Sequence, residues 1–414
     1  MASNQKTIFV YDDFSSGSPI LMGTLYVNII KGGESYSFEY DKDWLKKTSL
    51  KLTLDPELMP YSGRQYPTGK TIFGLFADAS PDRWGRVLMN KRERILAEKE
   101  GRKPSKLYDS DYLLGVYDET RMGGIRFKTN PDGPFLSDDK ETAAPPWAML
   151  RTLEEASRNF ESDESGLTEK WLNQLIKPGS SLGGARPKAT VVDTKDQLWI
   201  AKFPSRNDEN DTGAWEMVAH DLAGLCRLNV PEAKLEKFSN LGSTYLIKRF
   251  DRVLNKRVHF ASAMTLLGKT DGASAADGTS YLDMAAFIKS YGAQPKQDLL
   301  ELWKRIVFNM AVTNTDDHLR NHAFIITERG WILSPLYDVN PVPYGNELSL
   351  NVDEEDNSIS IELAISTAVR FGISETDAKD YAKDILTIVR ENWEKTASGY
   401  GINRRQIEEM RPAF

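Results

Sequence analysis

Short apolar segments that alternate with polar positions fill the first forty residues of the chain. Residues 7–11 and 23–28 are predicted strands, and residues 35–40 alternate with a period of two, which is the side-chain period of a half-buried strand. The pattern therefore predicts a small β-rich opening. A polar stretch at 129–146, rich in Pro, Asp and Gly, predicts a linker or an exposed loop and the first domain boundary, and helical spacing returns at 148–160.

A long amphipathic helix is the clearest local signal in the second half of the chain. Its apolar positions recur at spacings of three and four, and they are Leu299, Leu302, Trp303, Ile306, Val307, Met310 and Ala311. Apolar segments at 323–327 and 331–333 follow, and the polar residues between them indicate the turn of a β-hairpin. The sequence thus predicts a buried helix that delivers the chain to a polar loop and then to a hairpin.

That polar loop carries the first candidate chemistry. Asp316 is followed five residues later by Asn321, and Asp338 comes directly after the hairpin. Phosphoryl transfer needs a carboxylate that accepts the proton of the attacking hydroxyl, and a carboxylate with an amide oxygen to hold Mg²⁺. The Asp-x₄-Asn spacing is that of the kinase catalytic loop. A tight hairpin returns its ends to one edge, about 5 Å apart, so we expect Asp316 and Asp338 to converge, although each alone also fits a cap or a turn.

A glycine-containing turn at 181–188 is the second candidate region. It precedes apolar segments at 189–192 and 198–203, and Lys202 lies in the second of them. Small residues let backbone N–H groups approach a phosphate closely, and a strand lysine can reach phosphates as a point charge. Taken alone, the pattern fits a plain hairpin better, and it lacks the Gly-x₄-Gly-Lys-Ser/Thr spacing of a P-loop.

Two further elements follow the glycine-containing turn along the chain. A helix is predicted at 214–225, where Glu216 would lie in the first turn, either as a favourable charge at the helix N-terminus or as a partner of Lys202. The segment at 243–252 is predicted as a strand that leads into a connector, which is where a two-lobed nucleotide-binding protein places the hinge that contacts adenine.

Composition indicates the class of protein and its compartment, but it does not identify the reaction. The 414 residues suit two or three domains, and 40% hydrophobic with 27% charged residues is typical of a soluble globular protein. A net charge of −7 disfavours non-specific binding of nucleic acid. The one cysteine, Cys226, lies in an apolar helical pattern and predicts a core residue in a reducing compartment. Without a secretory leader or a membrane-spanning run, the protein is expected to be cytoplasmic.

The chain as a whole resembles the HipA family of bacterial serine/threonine kinases, the toxins of HipBA toxin–antitoxin modules. The resemblance covers nearly the whole chain, and the motifs near Asp316 and Asp338 are the most specific. The matching segments are SPDRWGR at 80–86, SLGGARPK at 181–188, KRFDR at 248–252, SAMTLLG at 262–268, NTDDH at 314–318 with NHAF at 321–324, and PLYDV at 335–339.

The resemblance implies an α+β, two-lobed, protein-kinase-like fold with an additional β-rich N-terminal subdomain and a mostly helical C-terminal lobe. The implied domains are the N-terminal subdomain at 1–130, the kinase N-lobe with phosphate loop and hinge at 148–252, and the C-lobe with catalytic and metal-binding loops at 253–414.

The resemblance also implies roles for single residues. Asp316 would be the general base, Asn321 and Asp338 would hold Mg²⁺, Lys202 would contact the ATP phosphates, and His318 would lie near the nucleotide. The residues that would cover the phosphates are Gly183, Gly184, Ala185, Arg186, Pro187 and Lys188. The residues whose backbone would bind adenine are Lys248, Arg249 and Phe250, and because the hinge acts through backbone groups, we expect ATP binding to tolerate Lys248 where the family often has Glu.

Regulation and partners are implied in the same way. Ser181 would be an autophosphorylation site, where about −1.5 to −2 units of added charge would compete with the phosphates of ATP and switch the enzyme off. The partners would be a small HipB-like DNA-binding antitoxin, through which the toxin reaches DNA only indirectly, and in some members an aminoacyl-tRNA synthetase as substrate. Growth arrest or persistence would be the outcome. A small-molecule kinase on the same frame and a non-catalytic, antitoxin-binding corepressor are the alternatives.

Overall fold

The computed structural model describes residues 5–48, 53–137, 144–162, 168–179, 184–254 and 256–414. The chain divides into two compact units. The first unit comprises Met1–Asn207 and Asp251–Ala261, and the second comprises Asp208–Phe250 and Ser262–Phe414. The three-domain division predicted from the sequence stays a prediction.

Among the described residues, no helix combines the length and the apolar character that crossing a bilayer requires.

An antiparallel four-stranded sheet with the order β3-β2-β1-β4 opens the first unit. Its strands are β1 (Gln5–Asp12), β2 (Ile20–Ile30), β3 (Gly33–Tyr40) and β4 (Ile125–Lys128). Alternate residues point into the core, because Ile8, Val10, Leu25 and Val27 are fully buried while their neighbours are partly exposed. The predicted β-rich opening is confirmed.

Helices and a second hairpin complete the first unit. The helices are α1 (Lys42–Lys47), α2 (Gly74–Asp78), α3 (Arg83–Lys99), α4 (Asp109–Gly115), α5 (Leu150–Glu161) and α6 (Thr168–Gly179), with a 3₁₀ turn at Trp147–Met149. The further strands are β5 (Lys188–Val192) and β6 (Leu198–Lys202), which form an antiparallel hairpin, and the short pair β9 (Arg252–Val253) and β10 (Lys256–Arg257).

The polar segment predicted as a linker or exposed loop is anchored where the structure describes it. Residues 129–134 are mostly exposed, as expected. The chain then returns to the first unit, because the N–H of Leu136 donates to the carbonyl of Phe127 (2.8 Å) and that of Ser137 to the carbonyl of Val116 (3.1 Å). This part of the segment is therefore a fixed turn, not a free linker.

The second unit is mostly helical. Its helices are α7 (Thr212–Leu225), α8 (Ala263–Leu266), α9 (Tyr281–Tyr291), α10 (Pro295–Ala311), α11 (Ile361–Thr367), α12 (Glu375–Gly399) and α13 (Arg404–Met410), with 3₁₀ turns at Ala275–Asp277, Ala368–Phe371 and Arg411–Ala413. Its hairpins are β7 (Ala233–Glu236) with β8 (Thr244–Lys248) and β12 (Ala323–Thr327) with β13 (Gly330–Leu333), while β11 (Phe260–Ser262) spans the boundary of the units.

Helix α10 forms the centre of the second unit's core. Leu302, Trp303, Ile306 and Val307 are fully buried, which confirms the predicted amphipathic helix. The indole N–H of Trp303 donates to the carbonyl of Ala364 on α11 (2.8 Å), so this large apolar side chain is also satisfied as a donor.

Cys226, directly after α7, is a core residue as predicted. Its side chain is buried, and burial raises the pKa of its thiol to about 12. A thiol with so high a pKa is almost entirely protonated at neutral pH and is therefore a poor nucleophile.

Candidate active site

The candidate catalytic loop begins where α10 ends at Ala311. Two residues later Thr313 has a φ of 47°, a conformation that a β-branched residue rarely adopts. The loop is fastened to the end of the helix, because Asn314 donates its backbone N–H to the carbonyl of Asn309 (2.8 Å) and its amide Nδ2 to Oδ1 of the same residue (3.0 Å). Backbone strain of this kind persists only where the surroundings hold it, and it concentrates at functional sites.

Asp317 is the buried anchor of the loop. Its Oδ2 accepts hydrogen bonds from the hydroxyl of Tyr281 (2.5 Å) and the amide of Asn309 (2.8 Å), and it lies 2.8 Å from Nε2 of His322. All four residues are at most 1% exposed. This cluster, which we call the Asp317 cluster, joins α9, α10 and both ends of the catalytic loop at one carboxylate.

The neighbouring side chains stabilise the negative charge of Asp317. Burial by itself raises the pKa of a carboxyl group, but the neighbouring His322 and the hydrogen bonds from His322 and Tyr281 outweigh it, so the pKa of Asp317 lies below its ordinary value. Asp317 is therefore a carboxylate at neutral pH and serves as the fixed acceptor of the cluster.

Asp316 and Asn321, the predicted base and metal ligand, lie on either side of the anchor. Asp316 is exposed, and within the described residues its carboxylate makes no hydrogen bond. Asn321 is buried, and its Nδ2 donates to the backbone carbonyl of Asp316 (3.0 Å), which leaves its amide oxygen as the available ligand atom. The loop thus presents one exposed carboxylate beside one oriented amide.

His318 lies between them. Its backbone bridges the loop, because its N–H donates to the carbonyl of Asp316 (3.1 Å) and its carbonyl accepts from the N–H of Asn321 (2.8 Å). Its Nδ1 is buried and, among the described residues, has no hydrogen-bond partner. A buried ring nitrogen without a partner is costly, and it suits a residue that meets a ligand.

Asp338 is delivered by the hairpin β12–β13, whose end is fixed to α10. Asp298 accepts from the N–H of Leu333 (3.1 Å), and the buried guanidinium of Arg305 donates to the carbonyl of Ser334 (2.7 Å). Asp338 follows with a φ of 61°, so its backbone, like that of Thr313, is in the left-handed region. The end of the hairpin, four residues before Asp338, is therefore held in place by α10.

Three hydrogen bonds join the catalytic loop to the segment at 337–342. The hydroxyl of Tyr337 donates to the carbonyl of Arg320 (2.7 Å), and the N–H of Asn340 donates to Oδ1 of Asn314 (3.3 Å). The third runs from the N–H of Val342 to the carbonyl of Thr313 (3.1 Å). The structure therefore brings together the two segments that carry Asp316 and Asp338.

The predicted hinge meets the same segment within the second unit. The N–H of Lys248 donates to the carbonyl of Glu232 (2.8 Å), Arg249 is buried, and the ring of Phe250 lies 5.7 Å from that of Tyr337. Lys248 also pairs with Glu232 through its ammonium group (3.7 Å). One aromatic contact thus links the end of the hinge to the residue that precedes Asp338.

Glycine 345 makes the contact between these segments testable. A β-carbon at Gly345 would lie 2.3 Å from Cγ2 of Thr315 and 2.9 Å from Cγ2 of Thr313, both short branched side chains. We expect Gly345→Ala to displace the loop and to lower phosphoryl transfer by about 10-fold or more, since misplacement of about 1 Å has such effects. The control is Gly399→Ala in α12, where an added β-carbon meets nothing within 4 Å. Equal kinetics for both variants would show that this contact does not position the loop.

The glycine turn belongs to the first unit and is described from Gly184 onward, so the predicted residues Ser181 and Gly183 lie outside the described residues. Gly184 has a φ of 75°, which favours glycine, and a β-carbon there would lie 2.5 Å from Nζ of Lys188. The ammonium group of Lys188 is therefore tucked against the turn.

The rest of the turn leads into the hairpin β5–β6. Ala185 is exposed, the guanidinium of Arg186 donates to the carbonyl of Phe203 (3.4 Å), and the carbonyl of Pro187 accepts from the N–H of Phe203 (2.9 Å). Lys188 and Lys202 are directly opposed across β5 and β6. Opposed residues share one face of a sheet, so these two basic side chains belong to the same face of the hairpin.

The position of Glu216 in helix α7 differs from the predicted one. Helix α7 begins at Thr212, and its cap is Asp211, which accepts from the N–H of Ala214 (3.2 Å) and from both the N–H and the hydroxyl of Ser243 (2.8 Å each). Glu216 thus lies beyond the first turn and is buried, so it is not a capping charge. Its pairing with Lys202 stays a prediction.

The Asp317 cluster is the part of the site that sequence reasoning missed. Asp316 and Asp317 are adjacent carboxylates, and nothing local distinguishes the exposed one from the buried one. One signal was available, because Asn309 falls three residues after Ile306 on the apolar face of α10. A polar residue on a buried helix face needs a hydrogen-bond partner, and here that partner is Asp317.

The oxygen atoms of the site fit a magnesium ion. Mg²⁺ favours carboxylate and amide oxygens and is held by one or two carboxylates together with phosphates and water. Asp338 and the amide oxygen of Asn321 supply such atoms. Among the described residues, no cluster of three or more His, Cys, Asp or Glu could hold a metal ion.

The elements and the site together define a protein with a kinase-like α+β fold. The chain belongs to the HipA family: its residues 180–393, just over half of the chain, match the HipA-like C-terminal domain, and residues 20–103 match the HipA N-terminal domain. The family and the fold class predicted from the sequence are confirmed.

Two relatives from one organism show sequence similarity to this chain. The protein named "Putative kinase Y4dM" of Sinorhizobium fredii is 24% identical over 374 residues, which cover 84% of this chain and 83% of that protein. "Putative kinase Y4mE" of the same organism is 29% identical over 149 residues, but these cover 34% of this chain and only 33% of that protein.

A solved structure with a similar fold is that of Shewanella oneidensis HipA in the complex of a toxin–antitoxin system with HipB and operator DNA. It has a TM-score of 0.66 at 17% identity and covers 98% of this chain and 94% of that one. At this identity the likeness shows a shared fold.

Proposed function

We propose that this chain is an ATP- and Mg²⁺-dependent serine/threonine protein kinase that acts as the toxin of a toxin–antitoxin pair. The observation that carries the proposal is the catalytic loop, in which the buried Asp317 cluster fixes an exposed Asp316 next to an oriented Asn321. A carboxylate that is exposed while its neighbour is locked suits a base that must reach an external hydroxyl.

The proposed reaction is transfer of the γ-phosphoryl group. The hydroxyl oxygen of a substrate serine or threonine bonds to the γ-phosphorus, the bond to the β–γ bridging oxygen breaks, and ADP leaves with that oxygen. Asp316 orients the hydroxyl and accepts its proton. Asn321 and Asp338 would hold Mg²⁺, which would stabilise the negative charge on the phosphates.

The remaining assignments concern binding. We assign the phosphates to Lys202 and to the turn at 184–188, because the turn ends at Lys188, which lies directly opposite Lys202 on the neighbouring strand. The backbone of the hinge at 248–250 would hold adenine, and the unpartnered Nδ1 of His318 supports its contact with the nucleotide. Autophosphorylation at Ser181 and release of the turn are part of the same proposal.

Incubation of the purified protein with γ-labelled ATP and a lysate of its host tests the reaction class. Labelled protein bands are expected, and labelled small molecules would instead favour a small-molecule kinase. No transfer, together with intact binding of a HipB-like antitoxin, would favour a corepressor. Mass spectrometry of the labelled bands would then show whether an aminoacyl-tRNA synthetase is the substrate and whether Ser181 is modified.

Replacement of the metal ligand gives a sharper test. Asp338→Asn keeps the left-handed backbone, which Asn tolerates, but removes the charge that would bind Mg²⁺. We expect the Mg²⁺ concentration for half-maximal rate to rise on the order of 100-fold, at the upper end of the loss caused by altered metal surroundings. The matched control is Asp384→Asn, an exposed carboxylate on α12. An unchanged Mg²⁺ dependence for Asp338→Asn would remove Asp338 from the metal site.

A further inference from the structure

The start of helix α3 contains an aspartate that does not act as a helix cap. Asp82 occupies the N-cap position of α3, but within the described residues its carboxylate makes no hydrogen bond to the first N–H groups of that helix. Its Oδ2 instead accepts from the N–H of Gly184, 102 residues farther along the chain (2.9 Å). An N-cap aspartate ordinarily stabilises its own helix, so this one has exchanged a local role for a distant one.

Trp84, two residues later, holds the same turn at two more points. Its backbone N–H donates to the carbonyl of Gly184 (3.0 Å), and its indole N–H donates to the carbonyl of Lys188 (2.9 Å). The side chain is 4% exposed and packs edge-to-face on Phe160 (5.6 Å between ring centroids). Both backbone polar groups of Gly184 are therefore bonded to the start of α3.

The end of α6 closes around the same tryptophan. A β-carbon at Gly179 would lie 2.9 Å from Nε1 of Trp84, 2.9 Å from Cδ1 of Leu88 and 3.0 Å from the carbonyl oxygen of Lys188. Only a residue without a side chain permits this approach. The start of β5, the end of α6 and the start of α3 thus meet at Trp84, which fixes both ends of the segment 184–188.

A turn that is to bind phosphate loses conformational freedom when it does so. Glycine has more of that freedom to lose than any other residue, and a turn that is already held loses less on binding. The bond from Gly184 to Asp82 is charge-assisted, which makes it stronger than a bond between neutral groups. The start of α3 therefore keeps Gly184 in its left-handed conformation before any ligand arrives.

We propose that Asp82 and Trp84 are positioning residues that pre-organise the phosphate-binding turn from the N-terminal part of the chain. This inference rests on the proposed function, because it assigns the turn at 184–188 to the phosphates of ATP. Neither residue contacts the nucleotide in this proposal. They act through the backbone of Gly184 and Lys188.

The test compares Asp82→Ala with Asp82→Asn. Asn keeps a carbonyl oxygen that can accept from Gly184, whereas Ala removes the acceptor. Affinity for a fluorescent ATP analogue, the KM for ATP, kcat and the melting temperature are measured for each. We expect Asp82→Ala to raise the dissociation constant and the KM by about 10-fold, the effect of losing one charge-assisted hydrogen bond. The kcat should change little, and Asp82→Asn should restore most of the affinity.

Asp41→Ala is the matched control. Asp41 is the cap of α1 in the same unit, where it accepts from the N–H groups of Asp43 and Trp44. Its replacement should lower the melting temperature without changing nucleotide affinity. Trp84→Phe removes the indole N–H and replaces the indole by a smaller phenyl ring, but it leaves the bond from Asp82 to Gly184 in place. It should therefore lower the melting temperature and weaken nucleotide binding less than Asp82→Ala does.

Amide hydrogen exchange separates failure of this inference from failure of the proposed function. In the nucleotide-free protein, Asp82→Ala should speed exchange at Gly184, while Asp41→Ala should not. Unchanged exchange at Gly184, or wild-type nucleotide affinity in Asp82→Ala, would overturn the positioning role. If the wild-type protein bound no ATP analogue although exchange at Gly184 responded to Asp82→Ala, the proposed function would fail and the nucleotide part of the inference with it.

Discussion

Replacing Asp316 by Asn is expected to lower the rate of phosphoryl transfer by about 10²–10⁴-fold, the range that general base catalysis contributes. The melting temperature should not change, because the carboxylate is exposed and makes no hydrogen bond within the described residues. The loop should also keep its shape, since Asn321 is held by the backbone carbonyl of Asp316 and not by its side chain.

Single-turnover kinetics with labelled ATP, measured beside nucleotide affinity, would check this expectation. The dissociation constant for ATP should stay within a few-fold of the wild-type value, because a base acts on the hydroxyl and not on the bound nucleotide. Transfer at the wild-type rate would remove Asp316 from the role of base. A loss of nucleotide binding of the same size as the loss of rate would instead make it a binding residue.

The contrast between Asp316 and its neighbour shows where sequence reasoning succeeds and where it stops. Helix α10 and the hairpin β12–β13 were predictable because burial imposes a period on the sequence, and that period survives in the apolar residues. Hydrophobic periodicity does not show which of the two adjacent aspartates is buried. Which of them is exposed is decided by Tyr281 and Asn309, residues of two other helices, and is visible only after folding.

Asp82 shows the same limit in another form. A turn-forming aspartate directly before a helix is the local signature of an N-cap, and the helix does begin at the next residue. The partner of its carboxylate, Gly184, is more than a hundred residues away, and local propensity contains no information about it. The family resemblance includes both segments, at 80–86 and 181–188, but it does not show that they are hydrogen-bonded to each other.

Several other assignments at the site are predictions that the geometry leaves untested. The roles of Lys202, of the hinge and of the metal ligands stay predictions, although the segments that carry Asn321 and Asp338 are hydrogen-bonded to each other. Their convergence follows from three bonds at 313–320 and 337–342. The proximity of the two segments was predictable because a short hairpin joins them. The left-handed backbone conformation of Thr313 and Asp338 was not predictable from the sequence.

Asp317→Ala is expected to have the largest effect on stability. The variant would leave the hydroxyl of Tyr281, the amide of Asn309 and Nε2 of His322 without their common acceptor in a fully buried position. Removal of one partner from a buried charged network destabilises by about 3–5 kcal/mol. We therefore expect a large fall in the melting temperature, together with loss of transfer activity because the loop around Asp316 is no longer anchored.

Asp317→Asn removes the negative charge but keeps the size of the side chain. The pH dependence of the melting temperature then reports the contribution of the charge to stability. The pKa of Asp317 in the folded protein lies below its ordinary value, so the carboxylate form is the one that folding favours. Its contribution to stability is therefore fully present above the ordinary aspartate pKa of about 3.9 and is lost as pH falls through the lower folded value. The melting temperature of the wild-type protein should fall more steeply below about pH 4 than that of Asp317→Asn. Parallel curves for the two proteins would mean that the buried carboxylate is not stabilised by His322 and Tyr281, and that the loop is held by packing alone.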